Sequence, residues 1–189
     1  MRVKSYTAWI FQGSKTYDID NYLLNYKEIY WNTPKLRSFI KIGDLVFLWR
    51  SLKASKDRMY GVIASGKVIE EPVLEENVSH PEFLGAEFWN ENIDNFGTDI
   101  YKTGILITHI RLTSKDGMLL ADNLKKMDTL SNMSILNQPV GSVFGITPEE
   151  LTELNKQWWG IEFIVPEIEN NTEHTEDIFE EGIEEGKFK

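Results

Sequence analysis

The residues with chemistry to offer are few. Asp18 and Asp20 are two carboxylates close in sequence, and Gly13-Ser14-Lys15-Thr16 resembles the end of a phosphate-binding loop. The earlier glycine that such a loop requires before its Gly-Lys pair is absent, so that reading fails. Carboxylates at the start of a predicted helix act as caps far more often than as a catalytic pair. No G-x-S-x-G elbow and no H-E-x-x-H pair occur. The chain has no cysteine, which excludes disulfides, thiolate zinc sites and cysteine nucleophiles. His80, His109 and His174 lie 29 and 65 positions apart, without the close pairing of a structural metal site. The sequence therefore predicts no catalytic constellation, no metal and no cofactor. What remains are six tryptophans, seven tyrosines and ten phenylalanines, whose flat faces can pack a core or stack on a planar ligand.

The charge is uneven. The net value of −10 argues against a polyanionic partner, but residues 161–189 alone carry ten acids against two lysines. Residues 1–69 carry five acids against 12 bases. A basic face on a weakly acidic body fits this asymmetry, as does a surface that merely mixes both signs. No stretch approaches the ~18 consecutive apolar residues of a membrane-spanning helix, and the first residues lack a signal-peptide pattern. The expected location is cytoplasmic, with no membrane partner.

At 189 residues, 41% of them apolar, the chain has the composition of one packed domain. Tyr6 to Gln12 reads as a buried strand. Asp18 caps a helix over 19–26, where Ile19, Tyr22, Leu23 and Tyr26 keep helical spacing. Residues 28–31 are short and extended, and Thr33-Pro34 opens a turn or short helix. Gly43-Asp44 turns into the apolar strand 45–49, and a lysine-rich hairpin over 51–58 leads to a return strand over 59–68. Gly61 and Gly66 predict bulges there. Residues 71–100 form an irregular acidic insertion, ordered on Phe83, Phe88 and Trp89. Residues 105–112 are a strand and 119–127 a helix, and a loop over 131–144 ends in a last strand. Thr147-Pro148-Glu149-Glu150 opens a closing helix that Trp158-Trp159 seals. The predicted class is α+β, a small twisted sheet or barrel with short helices at its margins. The folded domain spans 1–160, and 161–189 is an acidic linker or disordered tail.

An ordered set of motifs carries the reading further. Trp9-Ile-Phe-Gln-Gly13, Tyr17-Asp-Ile-Asp20, Leu23, Ile29-Tyr-Trp31, Ile42-Gly-Asp44, Val46-Phe-Leu-Trp-Arg-Ser51 and Gly61-Val-Ile-Ala-Ser-Gly66 resemble the EVE domain in order and spacing. The EVE domain is a PUA-like module related to YTH and ASCH domains. Weaker matches continue through Gln138-Pro139, Phe144-Gly-Ile-Thr-Pro148 and the closing helix. The resemblance covers about residues 5–160, apart from the insertion. The WIFQG opening is similar to EVE domains at the front of modification-dependent HNH restriction endonucleases, and Glu184-Glu185-Gly186-Lys187 resembles the linker into such a nuclease. No HNH ligands follow, so the chain is expected not to cleave DNA itself.

The resemblance implies a PUA-like barrel of five or six strands that receives a flipped modified base, chiefly 5-methylcytosine or 5-hydroxymethylcytosine in double-stranded DNA, as the specificity module of a restriction system. Unstacking a base costs a few kcal/mol, and aromatic stacking returns roughly 1–3 kcal/mol. Trp31 and Trp49 match family pocket positions and would form an aromatic cage. Asn32, Gln12, Gly13, Ser51, Asn137 and Gln138 would contact the base edge or close over it. Lys35, Arg37, Arg50, Lys53, Lys56 and Arg58 would hold phosphates. Set against this, a tryptophan in a strand of a small protein ordinarily belongs to the core, and Trp9 and Trp158-Trp159 are read that way. The alternatives are a reader of modified RNA or N6-methyladenine, as in YTH-like readers, and a PUA-like hydrolase of modified nucleosides.

Overall fold

The computed structural model describes residues 6–13, 17–52, 59–88 and 100–160. Its frame is one mixed sheet. β1 (Ala8–Gln12) lies parallel to β3 (Leu45–Arg50) and antiparallel to β7 (Val143–Ile146). β4 (Gly61–Leu74) runs antiparallel to β3, and β5 (Tyr101–Ile110) joins it to β2 (Glu28–Asn32). A two-residue β6 (Leu119–Leu120) pairs with the start of β4. The order is β2-β5-β4-β3-β1-β7 with β6 to the side, seven strands among the described residues. The α+β class is as the sequence predicts, with more strands than the five or six expected. The sheet does not close into a barrel, since β2 and β7 are the two unjoined ends of the hydrogen-bonded path.

The central strands are buried on both faces, which is why they read as apolar runs. Alternation sends Trp9, Phe11, Val46, Leu48 and Ile63 into one core layer with Ile19, Tyr22 and Leu23 of α1 (Ile19–Asn25). It sends Ile10, Phe47, Trp49 and Val62 into a second layer. Helices cover that second layer: α2 (Ala121–Leu124), α3 (Ser134–Asn137) and α4 (Pro148–Trp159). Trp9 and Trp158 are sealed in these layers, as expected. The Trp9 indole N–H donates to Asp44 at 2.7 Å, so the predicted Gly43-Asp44 turn also anchors β1. The Trp158 indole N–H donates to Ser65 Oγ at 3.1 Å.

The helix ends follow the predicted chemistry. Asp18 accepts from the Asn21 backbone N–H, and Thr147 with Glu150 forms a reciprocal capping box. The predicted helix over 119–127 is mostly absent. Leu119 and Leu120 are drawn into the sheet against Val62 and Gly61, and only 121–124 turn helically. The Ala121 N–H donates to Tyr60 O there, a tertiary bond outside local sequence signals. β4 and β5 also outrun their apolar cores. Their extensions pair with each other through register shifts, and the residues of β4 beyond Val68 are only half-buried.

Gly66 sits at one of these shifts. A Cβ there would lie 2.4 Å from Leu106 O, which only a glycine avoids. Gly66→Ala is expected to cost about 1–3 kcal/mol by forcing backbone shifts, read as a lower denaturation midpoint at unchanged m-value.

The described part of the insertion is a chain of short 3₁₀ turns at 75–77, 81–83 and 86–88. Phe83 and Phe88 pack on Tyr26 and Tyr22, as their aromatic character suggests, and Trp89 lies outside the described residues. Glu70 pins the segment by accepting from the Tyr30 hydroxyl and from Ser79 N–H and Oγ. Burial raises the Glu70 pKa, but the bonds from Tyr30 and Ser79 outweigh it and leave it below the ordinary carboxylate value. The Tyr30 phenol is pushed up to about 12, by burial first and then by its bond to Glu70. A depressed carboxylate stabilises the fold above its unfolded pKa and loses that contribution as pH falls through the folded value. The Tm gap between the parent chain and Glu70→Gln should therefore stay constant from neutral pH down to the ordinary carboxylate pKa and narrow below it, as pH falls through the depressed folded value.

Candidate functional site

Strand alternation decides which predicted site residues can meet. Gln12 and Trp49 are register partners on β1 and β3, on the same face of the sheet as Ile10 and Phe47. Trp31 packs in the other layer, with Val46 and Leu48. The two indoles therefore lie in different core layers and cannot sandwich one base, and the predicted cage of Trp31 and Trp49 is corrected. Trp31 is 5% exposed, against the edge of Tyr17 at 5.9 Å and stacked on Tyr22 at 6.5 Å. Burial raises the phenol pKa of both tyrosines, so they remain neutral partners.

Trp49 is 3% exposed, yet it forms the floor of a cavity of about 210 Å³. The cavity opens where β1 and β3 end, and Gln12 and Ser51 line it together with Trp49. Its second aromatic wall is Tyr60, edge-on to Trp49 at 6.4 Å. Ile135, Leu136 and Pro139 close the apolar side, while Leu52 and Lys125 complete the lining. The volume lies below the ~300–1,000 Å³ of pockets for drug-sized ligands and suits one ring system.

Two polar features give this cavity direction. Gln12 Oε1 is buried and has no hydrogen-bond partner among the described residues. A buried acceptor left unpaired costs about 1–3 kcal/mol, which a ligand N–H would relieve. At the mouth, Lys125 Nζ donates to the Tyr60 hydroxyl at 3.1 Å, and that hydroxyl donates to Asp122 at 2.9 Å. The bond to Tyr60 raises the Lys125 pKa, which keeps a cation beside the opening. Tyr60 and Lys125 escape sequence reasoning. The one signal for Tyr60 is its place just before Gly61, at the start of the strand that returns beside Trp49.

The remaining predicted residues divide. Gly13 points to the opposite face, where a Cβ would meet Ile19 at 3.2 Å, and its N–H is taken by Trp49 O. Asn32 ends β2 paired with Lys102 and does not line the cavity. Asn137 is exposed and spends its amide on Ser131 O and Met133 O, which holds the loop beside the cavity. Gln138 is exposed on the same loop. Lys35 and Arg37 are exposed near Tyr101, over which the Arg37 guanidinium stacks at 3.8 Å. They flank the far end of β4, since Tyr101 pairs with Leu74 whereas Arg50 pairs with Gly61. Lys53, Lys56 and Arg58 lie outside the described residues. The two ends of their stretch, Leu52 and Tyr60, both line the cavity.

Arg50 is a clear correction. It was expected to hold phosphate, but it is 5% exposed. Its guanidinium donates to Asp20 at 2.7 Å, to Leu112 O at 2.8 Å and to Met59 O at 3.1 Å. Every bond ties β3 to another segment of the fold, and none reaches outward. Asp20 is accordingly an ion-pair partner and not a cap. The guanidinium is buried while the Asp20 side chain is 38% exposed, so removing Arg50 chiefly leaves Leu112 O and Met59 O without their donors and a hole in the packing. Arg50→Ala should unfold at much lower denaturant, whereas Asp20→Asn should lose less because it can still accept from the guanidinium.

A second cavity of about 320 Å³ lies between β3, β4, β5 and α4, with Phe47, His109 and Trp159 in its wall. It is mainly apolar. Its hydroxyls are satisfied within the protein, since Ser65 accepts from Trp158 and Thr108 donates to Ser65 O. It therefore presents less directional chemistry than the cavity at Gln12. Among the described residues, no group of acidic, histidine or cysteine side chains has the makings of a metal site, and no helix is long and apolar enough to cross a membrane.

The family described as "EVE domain" matches residues 7–157. A hypothetical protein from Leishmania major superposes with a TM-score of 0.57 at 15% identity, covering 82% of this chain and 96% of that one. Human THYN1 protein in complex with 5-methylcytosine-containing DNA superposes at 0.54 with 13% identity, covering 78% and 94%. A Pseudomonas syringae protein superposes at 0.53 with 15% identity, covering 78% and 96%. At these identities the likeness is one of fold. No curated protein sequence matches the chain.

Proposed function

Because the chain belongs to the EVE-domain family, we propose that it reads modified DNA by taking one flipped base into the cavity that Trp49 and Tyr60 line. The observation that carries this reading is the convergence of Gln12, Trp49 and Ser51, each a predicted base contact, on one cavity of single-base size. Indole and phenol rings offer stacking and edge contacts. The Gln12 side chain, whose Oε1 is buried without a partner among the described residues, turns to accept from the exocyclic amino group of cytosine, and the apolar wall of Ile135, Leu136 and Pro139 receives a substituent at the 5-position. The human relative solved with 5-methylcytosine DNA supports the same ligand class.

Lys125 at the mouth, with Lys53, Lys56 and Arg58 between Leu52 and Tyr60, supplies the cations for phosphates around the extruded nucleotide. Such contacts position the complex without reading sequence. Lys35 and Arg37 serve at most a distant stretch of backbone. A reader of this kind directs cleavage by a separate nuclease domain or partner, and restriction of modified foreign DNA is the role proposed here.

The test is equilibrium binding at matched salt to duplexes carrying 5-methylcytosine, 5-hydroxymethylcytosine, N6-methyladenine or no modification, and to modified single-stranded RNA. Preference for a 5-substituted cytosine duplex is expected. Tyr60→Ala and Gln12→Leu should each erase most of that preference, about 1–3 kcal/mol for a lost base contact, while a weak salt-sensitive affinity remains. Lys53→Ala with Lys56→Ala should weaken all duplexes alike and flatten the salt dependence. A preference that survives Tyr60→Ala but disappears in Trp31→Phe would move the site to the other face of the sheet. Tighter binding to RNA or N6-methyladenine would replace the ligand.

A further inference from the structure

A base leaves a duplex only if something bears the cost of the gap it leaves, and this surface carries a candidate for that task. Val140 is 91% exposed, the most exposed large apolar side chain among the described residues. It follows Pro139, which lines the cavity, and precedes Gly141, whose φ of +148° suits a glycine at the turn. The loop that carries it is held at both ends. Gln138 N–H donates to Ser134 O on the α3 side, and Gln12 N–H donates to Ser142 O at 2.8 Å on the β1 side. The same segment is cross-tied by Asn137 and by the Val140 N–H, which donates to Gln138 O at 2.7 Å. Leu52 lines the same cavity from the end of β3 and is 47% exposed.

Single exposed apolar residues are common and need no explanation. These two are different because Leu52 lines the cavity and Val140 directly follows Pro139, which also lines it, and because the tip that bears Val140 is braced by hydrogen bonds while the side chain itself stays out. A braced apolar tip beside a base-sized cavity has the form of an intercalating wedge. Such wedges enter between base steps and fill or prise open the stack.

We propose that Val140, with Leu52 in support, enters the base stack of double-stranded DNA and occupies the space vacated by the base taken into the Trp49–Tyr60 cavity. This rests on the base-reading function above. It adds that the protein opens a paired duplex itself and does not wait for a base already extruded. The occupant is the base stack of the duplex whose base enters the adjoining cavity, because Val140 follows the cavity residue Pro139 and Lys125 lines the same cavity as a cation for the flanking phosphates.

The test compares the full chain with Val140→Ser and Val140→Leu, each checked for an unchanged melting temperature. Affinity is measured for a 5-methylcytosine duplex and for the same modified strand without its complement, each beside its unmodified counterpart. Val140→Ser should bind the duplex about tenfold more weakly, the scale of one buried apolar side chain. It should bind the single strand as the parent does, where nothing has to be opened. Val140→Leu should retain duplex binding, and Leu52→Ser should deepen the loss in the double variant. Equal affinity of parent and Val140→Ser for the duplex would overturn the wedge and leave base reading standing, as would an equal loss on both substrates. Should the parent fail to tell the modified from the unmodified strand in either form, base reading itself falls, and the wedge with it.

Discussion

β3 is buried on both faces, and most of the functional geometry follows from that constraint. A strand with apolar layers above and below has no solvent face, so every side chain on it is committed to one layer or the other. Val46 and Leu48 go to the layer that holds Trp31, and Phe47 and Trp49 to the layer beneath the helices. No rotamer of Trp49 brings it to Trp31. The site has to be built on one face alone, and on the helical face the partner available to Trp49 is Tyr60. Arg50 sets where the strand ends, since its bonds to Asp20, Met59 O and Leu112 O gather three segments around the last turn of chain before the opening.

The cavity exists because sheet and helices part company there. Farther along β3 the gap between them is filled by Phe47 and Trp158, edge to face at 6.2 Å. Beyond Trp49 the cavity is lined by Leu136 and Pro139 of α3 and its loop, with Tyr60 and Lys125 beside them. Trp49 is thus 3% exposed, held edge to face by Tyr60, and lines the cavity. A ring so fixed is preorganised to stack, with little conformational entropy left to lose. Gln12 Oε1 is buried without a hydrogen-bond partner among the described residues, a modest cost to the protein.

What could be read in the sequence was what local rules govern. Asp18, Thr147 and Pro148 mark helix starts by capping chemistry, and Gly43-Asp44 and Gly66 mark a turn and a register shift. The central strands show as apolar runs. Gln12, Trp49 and Ser51 were grouped by a family pattern, and the fold does bring those three together. The errors have a common source in tertiary context. Arg50 looked like the other basic residues of its neighbourhood, because nothing in the sequence reveals that Asp20 lies 2.7 Å away. Trp31 and Trp49 are paired by their match to family pocket positions, and that match carries no record of which core layer each side chain takes here. Leu119 and Leu120 read as helix because their pairing partners, Val62 and Gly61, lie almost 60 residues upstream. Tyr60 and Lys125 meet only through the fold.

The central claim concerns which face of the sheet receives the base, and a structure of the chain bound to a duplex with one 5-methylcytosine tests it most directly. The account predicts that base lying out of the helix against Trp49 and Tyr60, with its amino group donating to Gln12 Oε1. A base seated instead against Trp31 on the opposite face, or an undisturbed stack lying across the protein surface, would contradict it.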